Sequence, residues 1–297
     1  MPFILRRALI SLTAVVLATL IAGCTGVQLG YRGADFLILR EAGNYLDLER
    51  AQKTAWSPTL KASLARHRDE ELPYLAAFFD RALAGAERGF TQADLTCLLN
   101  QAEALYQRHF RLAAAATAPL LTALSARQVD ALAVRFAEEA TEDANEAASG
   151  TSAEAVSHRL RKRAERYESN LDWWVGELDS RQRGIIRDVA RRIPDTAPAW
   201  YAWRDAKRRE LIALLRTGAA EAQVEAFLTD WLVDYRDLPP SLADARDGLH
   251  DGMSALLLRL DPTFSHAQRD RLTGRLEGLR RDFLALQQTP RQVPVGC

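Results

Sequence analysis

Leu124-Ser125-Ala126-Arg127-Gln128-Val129 is the stretch that decides the fold. Ser125 carries a short oxygen-bearing side chain that can accept a bond from a free N–H of a first helical turn. Gln128, three residues on, can return the bond to the cap, as in a capping box. Leu124 before the cap and Val129 at the fourth helical position form a hydrophobic staple. The same device recurs at Thr91-Gln92-Ala93-Asp94 after Phe90, at Asp179-Ser180-Arg181-Gln182 after Leu178, and at Ser265-His266-Ala267-Gln268 after Phe264. Three of the four corners have Gln at the third position, and Leu95 staples Phe90 as Val129 staples Leu124. Each corner starts a helix. Their unequal spacing excludes a regular solenoid.

Outward from the corners, apolar residues recur at helical spacing. Ala34, Leu37, Ile38, Ala42, Tyr45 and Leu48 share one face of a first helix, Tyr31 to Leu48. A second is expected to start at Ser57, with Pro58 at its first position, where the missing donor costs nothing. Pro73 kinks or restarts it before Tyr74, Leu75, Phe78, Phe79 and Leu83. Leu95 to Phe110 forms a helix reaching Ala118, with Pro119 near its break. Trp200, Trp203, Leu211, Leu214 and Leu215 line a later one. No stretch alternates as a strand does. The fold class is all-α, an irregular multi-helix bundle of helix-turn-helix corners with about ten helices. Residues 31–288 form the body. The acidic, small-residue stretch 141–152 is a loop or subdomain seam, and 289–297 a flexible tail.

The N-terminal end says where the chain goes. Arg6 and Arg7 precede an uncharged run that closes on Ile21-Ala22-Gly23-Cys24. The run falls short of the about 20 apolar residues of a span and suits a signal core. A cysteine directly after small residues resembles the end of a bacterial lipoprotein signal peptide. That likeness implies cleavage between Gly23 and Cys24, acylation of Cys24, and residues 24–30 as a lipidated tether. Two or more acyl chains hold a protein stably on a membrane. Thr25, where Asp marks many inner-membrane lipoproteins, favours the outer membrane and its periplasmic side.

Of the three cysteines, Cys97 sits in an apolar helical pattern and reads as a buried thiol. Cys297 ends the tail. An oxidising periplasm permits a Cys97–Cys297 bridge, but no spacing supports one. Removing residues 1–23 takes Arg6 and Arg7 and no acid from a balance of 39 basic and 39 acidic residues, which leaves a net charge of −2. That argues against a nucleic-acid binder.

The chain resembles a family of bacterial lipoproteins of unknown function. The likeness is carried by Cys24, by Tyr31-Arg32-Gly33-Ala34-Asp35-Phe36, by Arg68-Asp69-Glu70-Glu71-Leu72-Pro73-Tyr74, by the Leu-Ser/Asp-x-x-Gln corners and by the Trp/Arg-rich later helix. It implies a helical fold and an envelope location, and it assigns no activity.

Candidate sites are weighed against plain surface roles. Asp244, Asp247, His250 and Asp251 can share a helix side, the spacing of a divalent-metal set, but Arg246 can neutralise the acids. The solvated-face reading is favoured, and no metal or cofactor is called for. His67 with Asp69, Glu70 and Glu71 could do acid–base work, but lacks a nucleophile motif, so a charged surface turn is favoured. His109 and His158 read as isolated. Arg159, Lys162, Arg163 and Arg166, with Arg204, Lys207 and Arg208, form basic groups near Trp173, Trp174, Trp200, Tyr201 and Trp203. They can grip an anionic envelope polymer, lipid head groups or another envelope protein, or pair with the chain's own acids. The chain reads as a non-catalytic binding or scaffold protein. The alternative is a carrier or chaperone for an apolar ligand between helices, and a hydrolytic enzyme stands third.

Overall fold

The computed structural model describes residues 24–147, 152–291 and 293–294. The signal reading of residues 1–23 lies outside them, as does Cys297. Twelve α-helices, one 3-10 turn and no strand are found among the described residues. They are α1 Cys24–Arg32, α2 Ala34–Tyr45, α3 Arg50–Glu70, α4 Leu72–Arg88, α5 Gln92–Thr122, α6 Ala126–Ala147, α7 Ala153–Val175, α8 Ser180–Arg192, α9 Ala197–Arg216, α10 Glu221–Leu232, α11 Pro240–Leu260 and α12 His266–Leu286.

The side chains fill two apolar clusters. One gathers Val27 of α1, Leu72 to Ala86 of α4, Val175, Ile186, Leu256 and Leu260, and the inward stripe of α12 from Leu272 to Leu286. The other gathers Tyr45, Trp56, Leu60, Val129, Leu132, Phe136, Trp203, Leu211, Val224 and Trp231. Helix α5 has 31 residues and so spans about 46 Å. Its first half gives Leu98 and Leu105 to the first cluster, and its second half gives Ala114, Ala118, Leu120 and Leu121 to the second. Against the first half lies α4, which also packs along α12, with Phe79 stacked on Phe283 at 5.6 Å and Asp80 paired to Arg280 at 2.7 Å. Gly89 ends α4 at φ 91°, a left-handed conformation that favours glycine. A side chain there would also press on the Asp261 carboxylate, which accepts from the Phe90 N–H and from Arg269.

All four corners cap their helices as the sequence predicts. The structure adds that the glutamines pair across the fold. Gln182 and Gln268 exchange two amide hydrogen bonds, of 2.9 and 3.0 Å. Each Oε1 also accepts its own cap's backbone N–H. Each Nε2 also donates to a carbonyl two residues before the other cap, Thr263 and Glu177. Gln182 is 0 % exposed, yet every amide atom has its partners. The second cluster repeats the arrangement. Gln128 and Gln52 exchange bonds of 2.8 and 2.9 Å, and their second donors reach Asp47 O and Ala123 O. At the remaining corner Asp94 takes the Gln position. Hydrogen bonds from Thr91, with Arg88 and Arg81 close by, hold its buried carboxyl below the usual carboxylate range.

The Gln52 box corrects one expectation. The second helix starts at Arg50, capped by Glu49, and continues through Pro58. Pro58 leaves the Thr54 carbonyl without its helical donor, a cost offset by the Gln52–Gln128 lock and by burial of Trp56, whose indole N–H donates to Ala116 O at 2.7 Å. Likewise α5 continues through Pro119. Residues 24–30, expected as a tether, are helical: Val27 is 2 % exposed and Gln28 donates to Asp282 at 2.8 Å. Of the expected seam, 141–147 extends α6, and 148–151 lie outside the described residues. In the tail, the Arg291 N–H donates to the Gln287 side chain, and its guanidinium to Asp69 O at 2.8 Å.

Replacing Gln182 by Ala strips one corner lock and leaves buried partners unmatched, so urea unfolding should show a loss of about 2–3 kcal/mol. Gln223→Ala, at an exposed capping box, should cost about 1 kcal/mol or less. Adding Gln268→Ala to Gln182→Ala should cost less than the sum of the two, by roughly 0.5–3 kcal/mol.

Candidate functional site

The α3–α4 elbow brings two histidines, a tyrosine and a buried Glu71–Arg108 pair close together. Glu71 joins the two helices, and Pro73 in the first turn of α4 makes the break, as the sequence predicts. The elbow turns Glu71 inward, where it is 3 % exposed and receives a bidentate Arg108 at 2.6 and 2.9 Å. Arg108 also covers the Tyr74 ring at 4.1 Å. One turn back on α3, His67 Nδ1 lies 2.8 Å from the Tyr31 hydroxyl. The His109 ring of α5 stands 4.8 Å from the His67 ring, and its Nδ1 contacts the Leu105 carbonyl. His109, read as isolated, is thus half-buried against His67.

This geometry takes apart the acid–base set expected from His67, Asp69, Glu70 and Glu71. Asp69 faces solvent, Glu70 pairs with Arg66, and Glu71 belongs to Arg108. The surface-turn reading fails for Glu71 as well, because the elbow buries it. Burial pushes the His67 imidazole down to about 3, with His109 and Arg68 adding to the effect. Burial lowers His109 too. An imidazole held that far down is a weak base at neutral pH. Tyr31 and Arg108 were missed in sequence because each stands more than 30 residues from its partner, and no local pattern marks such a pair.

The basic residues divide. Arg159 is paired to Asp195 at 2.6 Å. Arg163 donates to the Ile193 and Pro194 carbonyls at 2.6 and 3.0 Å and so holds the end of α8. Arg204 and Arg208 meet Asp143, and Arg208 meets Glu139 at 2.5 Å, across the α6–α9 contact. Burial pushes the Glu139 carboxyl up to about 7 and lowers the Arg208 guanidinium, the desolvation cost of an internal pair. Lys207 lies between Glu210 and Asp237. Lys162 is exposed beside Glu165, and Arg166 is exposed. Trp203 is core, and Trp173 carries Arg275 over its ring at 4.0 Å.

In α11, Arg246 reaches Glu103 of α5 at 3.1 Å, Asp244 and Asp251 are exposed, and the Asp247 side chain lies outside the described residues. Among the described residues no three His, Cys, Asp or Glu side chains are placed to hold a metal ion. Cys97 is buried as expected, but it is disulfide-bonded and not a free thiol.

The depressed histidines couple folding to acidity. Neutral in the fold and free to protonate when unfolded, both favour the fold less as pH falls below about 6.5, and the loss from His67 continues toward pH 3. Unfolding free energies from urea titrations at pH 7.5 to 4.5 should fall by up to about 1.4 kcal/mol per pH unit for each histidine. His67→Phe should flatten that slope, whatever it does to stability at pH 7.5.

No curated protein and no solved structure matches the chain. Residues 44–239, about two thirds of the 297-residue chain, match a family of unknown function (DUF6279). The match includes the elbow, α5 and the Gln52–Gln128 lock, and it stops short of α1, α11 and α12, which complete the first cluster. By that match the chain belongs to the family of unknown function DUF6279.

Proposed function

We propose that this is a lipid-anchored protein of the bacterial cell envelope. It would be cut between Gly23 and Cys24, acylated on Cys24, and held at the periplasmic side of the outer membrane as a non-catalytic binding or scaffold protein. The observation that carries the reading is how soon after Cys24 the chain is packed. Val27, three residues on, is 2 % exposed within the first apolar cluster, so a lipid on Cys24 would lie close against the body. Triacylation of that residue would seat the body against the bilayer without a spanning helix, and among the described residues no helix is long and apolar enough to cross one. A disulfide at Cys97 suits an oxidising compartment. A scaffold role is favoured over a carrier role by the aromatic filling of both clusters and by apolar side chains left on the surface of α1 and α2. The exposed Lys162 and Arg166 of α7 are where an anionic partner would be met.

Intact mass of the protein from its producing cell should show residues 1–23 removed and acyl mass added. A fatty-acid analogue should label the chain and not Cys24→Ala. Peptide mapping without reductant should join Cys97 to Cys297 and leave Cys24 to lipid. A Cys24–Cys97 linked peptide, or an unacylated chain with residues 1–23 still attached, would overturn the anchor.

A further inference from the structure

Leu29 and Phe36 are the two most exposed large apolar side chains among the described residues, at 75 % and 64 %. They belong to one surface. Backbone bonds run through Gly33, from its N–H to Leu29 O at 3.2 Å and from the Leu37 N–H to Gly33 O at 3.0 Å, so α1 and α2 follow each other almost as one helix. At 3.6 residues per turn, residues 29, 32, 36 and 40 point within about 40° of a common line. Arg32 and Arg40 are exposed on that line and have no carboxylate partner among the described residues. The opposite side carries Val27, Ala34 and Tyr45, all buried. The acids of α2 lie off the stripe, and Asp35 is 3.9 Å from Lys61 of α3. Leu29 is five residues from Cys24 in the same helix, about 8 Å along its axis.

We propose that the Leu29-Arg32-Phe36-Arg40 stripe is a membrane-contact surface, lying in the head-group layer of an anionic phospholipid bilayer. Two apolar side chains enter the acyl boundary, and the arginines flanking them meet lipid phosphates. An uncompensated basic pair on an apolar stripe complements an anionic lipid surface. A second copy of this chain would have to bring four arginines together. The assignment rests on the anchor reading for its setting. It goes further by fixing which face of the body looks at the lipid.

The test is made without the acyl group, so that its failure and the failure of the anchor are separate events. The chain from residue 24, with Cys24→Ser, contains every described helix. It is sedimented with vesicles of phosphatidylglycerol and phosphatidylcholine, and its helicity and melting are checked by circular dichroism. It should bind, and Leu29→Glu with Phe36→Glu should weaken partition at least tenfold while leaving the melting unchanged, since both side chains are exposed. Arg32→Gln with Arg40→Gln should weaken it by roughly 30-fold at low salt and by less at high salt. No binding by the parent chain, or equal binding by the double Glu variant, overturns the proposal. So does a dimer of the parent chain in sedimentation equilibrium that the double Glu variant abolishes, which would give the stripe to a second copy.

Discussion

Much of this structure depends on a reciprocal amide pair. A glutamine at the third position of a helix has two donors and one doubly accepting oxygen. In an isolated capping box only part of that capacity is used. Here two boxes face each other, and the unused donor of each glutamine meets the oxygen of the other. The lock fixes distance and orientation at once, because the amide is planar and all its atoms are engaged. A buried amide would otherwise destabilise the fold by its desolvation. Made whole in this way, it selects one arrangement of helices from the many that apolar side chains alone would tolerate. Each apolar cluster has one such lock.

The two clusters are not independent bodies. Helix α5 gives half its length to each, and α11 places Leu242 in the second and Leu256 in the first. The segment shared with the DUF6279 family therefore does not correspond to a self-contained core. It holds α4 but not α12, the helix along which α4 packs.

The fold class and the four corners were legible because caps and helical apolar spacing are local signals. What was not legible was non-local. Gln128 shows its bond to Ser125 three residues away, but nothing near it announces Gln52, 76 residues distant. Pro58 pointed to the wrong helix start, since Glu49 is a less obvious cap than Ser57 and the stabilisation from Gln52 comes from a distant corner. The elbow histidines show the same limit, as their spacing gave no sign that Arg108 would draw Glu71 inward. The basic residues were readable as a group by charge. Their division into internal pairs and surface groups depends on acids far along the chain, such as Asp195 for Arg159 and Asp143 for Arg204.

The bond between Gln28 and Asp282 ties the first described helix to the last across 254 positions. Val27 has its cover only when α12 is in place. Synthesis delivers that cover at the very end, so the N-terminal helix emerges first and docks late. During the interval the Val27 face of α1 stands without its α12 cover, so the first and last described helices close the fold together.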